Sequence, residues 1–153
     1  MMETIKPWLV GVVLVLGLGA VATGQDRSTR WSVDYSEAGD DITAMILGGY
    51  QIGGVGLVCG PASPWILVWD YVGMMEENMP VTMRFRVDGA SFDVRFEELY
   101  AMAAMSPVPP ALVRAIMAGN SLEVIVPEGR HSFPLTGSTR AIEQALAGCR
   151  GMF

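Results

Sequence analysis

Lys6 is the only lysine of this chain, His131 its only histidine, and cysteine occurs twice in 153 residues that carry a net charge of -6. Each scarcity removes a class of function. Phosphate neutralisation along a nucleic acid needs clustered cations, and an acidic chain with no basic run does not supply them. Neither Cys59 nor Cys149 belongs to a C-x-x-C pair, so a zinc site would have two distant thiolates and one imidazole to draw on. No serine sits in a G-x-S-x-G elbow. His131 and Ser132 are adjacent on a strand, where neighbouring side chains point to opposite faces and do not share a proton. The stretch DYSEAGDD puts Asp34, Ser36 and Gly39 at the first, third and sixth places of a calcium loop, but Ala38 and Met45 stand where oxygen ligands belong. Internal repeats and low-complexity tracts are absent as well.

What is present begins with residues 1–24, MMETIKPWLVGVVLVLGLGAVATG. Lys6 precedes an apolar stretch over residues 8–22, which as a helix at ~1.5 Å per residue would reach only ~22 Å of a ~30 Å hydrocarbon core. A cleaved export signal fits that length, with small residues for a peptidase at Ala20-Val21-Ala22 or at Ala22-Thr23-Gly24. An uncleaved anchor is the alternative. Export leaves residues 25–153 as a single periplasmic or secreted domain without a further membrane span. That domain keeps 15 acids and nine bases, and every base is arginine. In an oxidising compartment Cys59 and Cys149 are expected to pair, closing a loop of about 90 residues worth roughly 4 to 5 kcal/mol by chain entropy.

Period-two patterning predicts strands over residues 31–36, 42–47, 55–59 and 64–72, with a turn at 37–41 and the glycine-rich link GGYQIGG between the second and third. In the fourth, Trp65, Leu67, Trp69 and Tyr71 share one face. Asp88-Gly89 predicts a two-residue hairpin turn that pairs Val87 with Ala90, Phe85 with Phe92, Met83 with Val94 and Val81 with Phe96, and sets Arg84 against Asp93. A short helix is expected over 97–105. Pro107 to Pro110 introduce a helix that buries Leu112, Val113, Ile116 and Met117 and stops at Gly119. A second hairpin is expected to turn on Glu128-Gly129, aligning Leu122 with Leu135, Val124 with Phe133 and Val126 with His131. Ser138 is the expected cap of a last helix in which Ile142, Ala145, Leu146 and Cys149 face inward. The fold class is α+β: an antiparallel, twisted sheet or sandwich, with two helices in the C-terminal half and one disulfide.

Three constellations invite a functional reading. Met74, Met75 and Met79 cluster in GMMEENM, and with His131 such soft thioethers would suit Cu(I); otherwise they fill gaps or touch a partner. Trp65, Trp69 and Tyr71 are expected in the core, with a platform for a sugar or an apolar patch as the alternative. Arg84, Arg86 and Arg95 read as a solvated face balanced by Asp88, Asp93 and Glu97, or as a contact for an anionic patch on a partner.

The order of features also resembles a known group. Trp31-x-Val33, Leu57-Val58-Cys59, Arg86-Val87-Asp88-Gly89, and Phe133-Pro134-Leu135-Thr136-Gly137 followed by Ala141-Ile142 and Cys149 together resemble small exported proteobacterial domains. These are the invasion-associated locus B family and the VasI-type periplasmic proteins associated with type VI secretion. The resemblance implies an exported, disulfide-bonded domain without catalysis or cofactor that acts through protein contacts at the bacterial envelope. From the residues themselves, the arginine-bearing hairpin and the methionine loop are the expected contact surface: Arg84, Arg86, Arg95, Met74, Met75 and Met79. Two other functions remain open: an envelope hydrolase or proteinaceous hydrolase inhibitor, and a Met-rich copper carrier.

Overall fold

Ten strands and two α-helices form among residues 27–39 and 41–149, which a computed structural model describes. The export signal expected over residues 1–24 and both of its cleavage positions lie outside the described residues. One antiparallel sheet has six strands in the order β1 (Ser32–Tyr35), β2 (Ile42–Leu47), β3 (Gly54–Cys59), β4 (Pro64–Trp69), β8 (Ala103–Pro107) and β7 (Leu99–Tyr100). The other has four, in the order β10 (Gly129–Pro134), β9 (Ser121–Val126), β5 (Val81–Val87) and β6 (Ala90–Phe96). The sheets meet where the Ser106 hydroxyl of β8 donates to the Arg95 carbonyl of β6.

Strand alternation decides what is buried. Ala44, Ile46, Val55, Leu57, Ile66, Val68 and Ala104 line the inner face of the six-stranded sheet without solvent contact. Met83, Phe85, Phe96, Leu122 and Val124 do the same for the four-stranded sheet, joined by the buried Val94 and Phe133, and all belong to one continuous core. Helix α1 (Pro110–Ala118) buries Leu112, Val113 and Ile116 and packs on β5. Helix α2 (Ser138–Ala145) packs across β1, β2 and β3. Cys149 follows α2 in a 3₁₀ turn, Ala147–Cys149, and forms the disulfide with Cys59 at the end of β3, with Cα atoms 5.7 Å apart. The α+β expectation and the Cys59–Cys149 pairing therefore describe the fold.

The first hairpin has the expected register at every pair, with Asp88 and Gly89 at φ 47° and 94°. Four local expectations need correction. Residues 97–105 do not form a helix: Ala101 and Met102 take positive φ, 46° and 70°, and reverse the chain between β7 and β8. Pairing of β8 with β4 outweighs a short stretch whose isolated helix would be marginal. The second hairpin turns on Pro127-Glu128, so Leu122 faces Phe133 and Val124 faces His131. Proline's fixed φ suits the first turn position, and Gly129 is a strand residue. A slip of two residues preserves the buried face, which is why the same side chains point inward. Strand β4 ends at Trp69, because Asp70 takes φ 52° and breaks the alternation. Finally, Gly137 at φ 80° is the N-cap of α2, while the buried Ser138 hydroxyl donates to the Ile116 carbonyl at 2.9 Å and that of Thr139 to the Met117 carbonyl at 2.6 Å. The second helix thus closes the open carbonyl end of the first.

Candidate functional site

The outward faces of the two sheets differ in kind. On the four-stranded sheet, Thr82, Arg84, Arg86, Asp93, Arg95 and Glu123 point away from the core. Arg84 donates from Nε and Nη2 to Asp93 at 2.8 and 3.1 Å, Arg86 pairs with Glu123 at 3.2 Å, and Arg95 with Glu97 at 2.6 Å. The hydrogen bonds from Arg84 hold the Asp93 carboxyl below the usual carboxylate range. Each of the three arginines singled out in the sequence thus already has a carboxylate partner, and exposed pairs of this kind contribute little to stability.

The six-stranded sheet turns a different face outward. Trp65, Leu67 and Trp69 of β4 alternate with the fully buried Ile66 and Val68 and therefore lie on the outer side, half-buried. They align across the sheet with Val58 of β3, Met45 of β2 and Met105 of β8. The expectation that Trp65, Trp69 and Tyr71 share the core is corrected: the row divides at Asp70, with Tyr71 buried and both tryptophans outside. The indole of Trp69 packs against the glycines of β3, since a Cβ on Gly54 would stand 2.5 Å from its Cε2 and one on Gly56 3.0 Å from its Cζ3. Glycine is required here by close approach, and the result is an aromatic surface seated directly on the backbone beneath it.

Two adjoining hollows of about 420 and 230 Å³ share Trp65, Tyr100 and Met105 on this face. Val58, Gly60 and Pro61 deepen the larger one, and Asp41 stands at its edge. Glu97 and Glu98 stand at the edge of the smaller, with Arg95. Tyr100 is 49% exposed and donates its hydroxyl to Glu98 at 2.8 Å, a hydrogen bond that raises the phenol above its ordinary value, with the carboxylate's charge acting in the same direction. Among the described residues, neither Asp41 nor Glu98 enters an ion pair. The rim is acidic and the floor apolar.

The methionines of GMMEENM differ in burial. Met74 and Met79 pack on the core, Met75 is exposed, and a 3₁₀ turn, Glu76–Asn78, separates them. His131 lies edge-on to Phe133, with ring centroids 4.6 Å apart, and Ser132 sits on the opposite face of β10. Among the described residues no three His, Cys, Asp or Glu side chains gather as a metal site, and no helix is long and apolar enough to cross a membrane. The meeting of Tyr100, Met105, Val58 and Asp41 around Trp65 is not legible in the sequence. The available signal was a strand apolar on both faces, β4, inside an antiparallel sheet, where one face is ordinarily polar.

No protein-family model matches the sequence, and no curated protein matches it. Among solved structures, the crystal structure of invasion associated protein B from Bartonella henselae is similar, with a TM-score of 0.55 and 12% sequence identity over 78% of this chain and 94% of that one. The expected likeness to the locus B type is thus present at the level of the fold.

Proposed function

We propose that this chain is an exported, non-catalytic domain of the bacterial envelope that docks a basic, partly apolar protein segment on the outer face of its six-stranded sheet. The observation that carries this reading is the contrast between the two outward faces. One satisfies its arginines internally, whereas the other presents Trp65, Leu67, Trp69, Tyr100 and Met105 to solvent. Covering such a surface gains about 25 cal/mol per Å² of apolar area, and aromatic anchors of this kind dominate binding energy. The acidic rim of Asp41, Glu97 and Glu98 selects partners that bring arginine or lysine beside their apolar residues. Tryptophan and tyrosine faces favour the same cations. The leader-like residues 1–24, the disulfide and the fold shared with an invasion associated protein support an envelope location.

The test uses the oxidised protein, labelled with ¹⁵N, and two extended peptides in which leucine alternates with arginine or with glutamate. The arginine peptide is expected to produce saturable shifts at Val58, Trp65, Leu67, Tyr100 and Met105, and the glutamate peptide none. Shifts confined to Thr82, Arg84 and Arg86, or equal binding of both peptides, would contradict the reading. Turnover of peptidoglycan or ester substrates would contradict its non-catalytic part.

A further inference from the structure

Among the described residues three arginines, Arg30, Arg114 and Arg140, have no carboxylate within 4.0 Å, and two of them meet at one hollow. Arg27, Arg84, Arg86, Arg95 and Arg130 all lie within 4.0 Å of a carboxylate. Arg30 and Arg140 have no such neighbour among the described residues, yet both line one hollow of about 340 Å³ between α2 and the edge strand β1. Ser32, Gly137 and Gln144 line it too, and no acidic residue does. In a molecule of net charge -6, two unneutralised guanidinium groups at one cavity are a local reversal of sign.

Their position sharpens the point. Arg30 lies over Gly137, with Nε 3.4 Å and Nη2 3.7 Å from the place a Cβ would occupy. Gly137 is the N-cap of α2, without a side-chain cap, and the first turn of α2 contains Arg140 and no acid. A helix start carries a partial positive charge and unsatisfied amides, and its first turn ordinarily holds acids. Here two exposed arginines line the hollow at the positive end of the dipole, with no acid among its lining residues to offset them. Local rules broken in this concerted direction mark a site rather than a stability device.

We propose that this hollow binds a phosphate-class oxyanion, either inorganic phosphate or a small phosphate monoester. Two guanidinium forks and a helix start offer more donors than one carboxylate's two oxygens can accept, whereas a phosphate's terminal oxygens take bidentate bonds from both arginines. The volume admits the phosphate and a small organic group. This site lies apart from the aromatic face and shares none of the residues that line its hollows.

Amide spectra of the full oxidised domain, recorded at constant ionic strength during titration with inorganic phosphate, glycerol phosphate or succinate, test the site. Saturable shifts at Arg30, Gly137, Thr139 and Arg140 are expected with the phosphate ligands. Arg30→Gln and Arg140→Gln are each expected to weaken binding at least about tenfold, the loss appropriate to one charge-assisted hydrogen-bonded contact. Arg114→Gln, which removes an exposed arginine on α1, should leave the affinity unchanged. Non-saturating shifts in the wild-type protein, unchanged affinity in R30Q and R140Q, or tighter binding of succinate than of phosphate would overturn the assignment.

Discussion

Two tyrosines show how burial and a single hydrogen bond set a residue's chemistry. Tyr71 is buried, with a hydroxyl that meets no partner among the described residues; burial first and the Glu128 charge second push its phenol above the ordinary value of 10.0. Tyr100 is raised by its bond to Glu98. A phenol whose pKa is raised on folding keeps its proton longer in the folded chain than in the unfolded one. Its contribution is therefore complete below pH ~10 and is lost as pH climbs from there through the folded value. Melting temperature is expected to fall over that range, and Tyr71→Phe should flatten the fall while leaving the neutral-pH melt nearly unchanged, since the hydroxyl forms no bond to lose. Thermal melts between pH 8 and 11 check this, and an unaltered slope in Y71F would refute it. Arg84 and Asp93 behave oppositely in pH: the depressed Asp93 carboxyl adds its stabilisation above the usual carboxylate range and loses it as acid titrates it.

At the level of elements, local signals succeeded where the chain reverses on itself within a few residues. Asp88-Gly89 can take the positive φ a tight turn needs, and the facing charges of Arg84 and Asp93 select one register, so β5 and β6 were readable from their own residues. The β7–β8 turn was not, because it is specified from elsewhere. Ala101 and Met102 are poor residues for the left-handed region, and they adopt it because β8 completes its ladder against β4, more than thirty residues earlier in the chain. That strain predicts a gain: Met102→Gly, at a site 73% exposed, should stabilise the domain by about 0.5 to 1 kcal/mol, measurable as an increased urea midpoint with unchanged slope. A lowered midpoint would contradict the reading of this turn. The tryptophan face was obscured for a similar reason. Residues 65, 67, 69 and 71 share a parity only while the strand continues, and the left-handed Asp70 that separates Trp69 from Tyr71 leaves no signature in an aspartate met in sequence.

On the scale of the whole molecule, a disulfide ties the end of the chain to β3, across 90 residues, and thereby fixes α2 over the inner face that the first three strands share. Reduction should cost roughly 2 to 5 kcal/mol and lower the denaturation midpoint accordingly, an outcome that paired melts with and without reductant will register. Equal stability of both forms would show that packing alone holds the helix. Both sheets turn one face outward, and only one of those two faces is built of indole, thioether and phenol. The cysteine pair was legible because two cysteines allow a single intramolecular bridge, whereas the aromatic face is a property of six strands assembled and belongs to no single stretch. A photo-crosslinking residue placed at Met105, compared with one at Thr82 on the arginine-bearing face, measures the difference directly in intact cells. Adduct formation with a basic envelope protein at position 105 and not at 82 is the expected result; adducts at 82 with none at 105 would contradict the account.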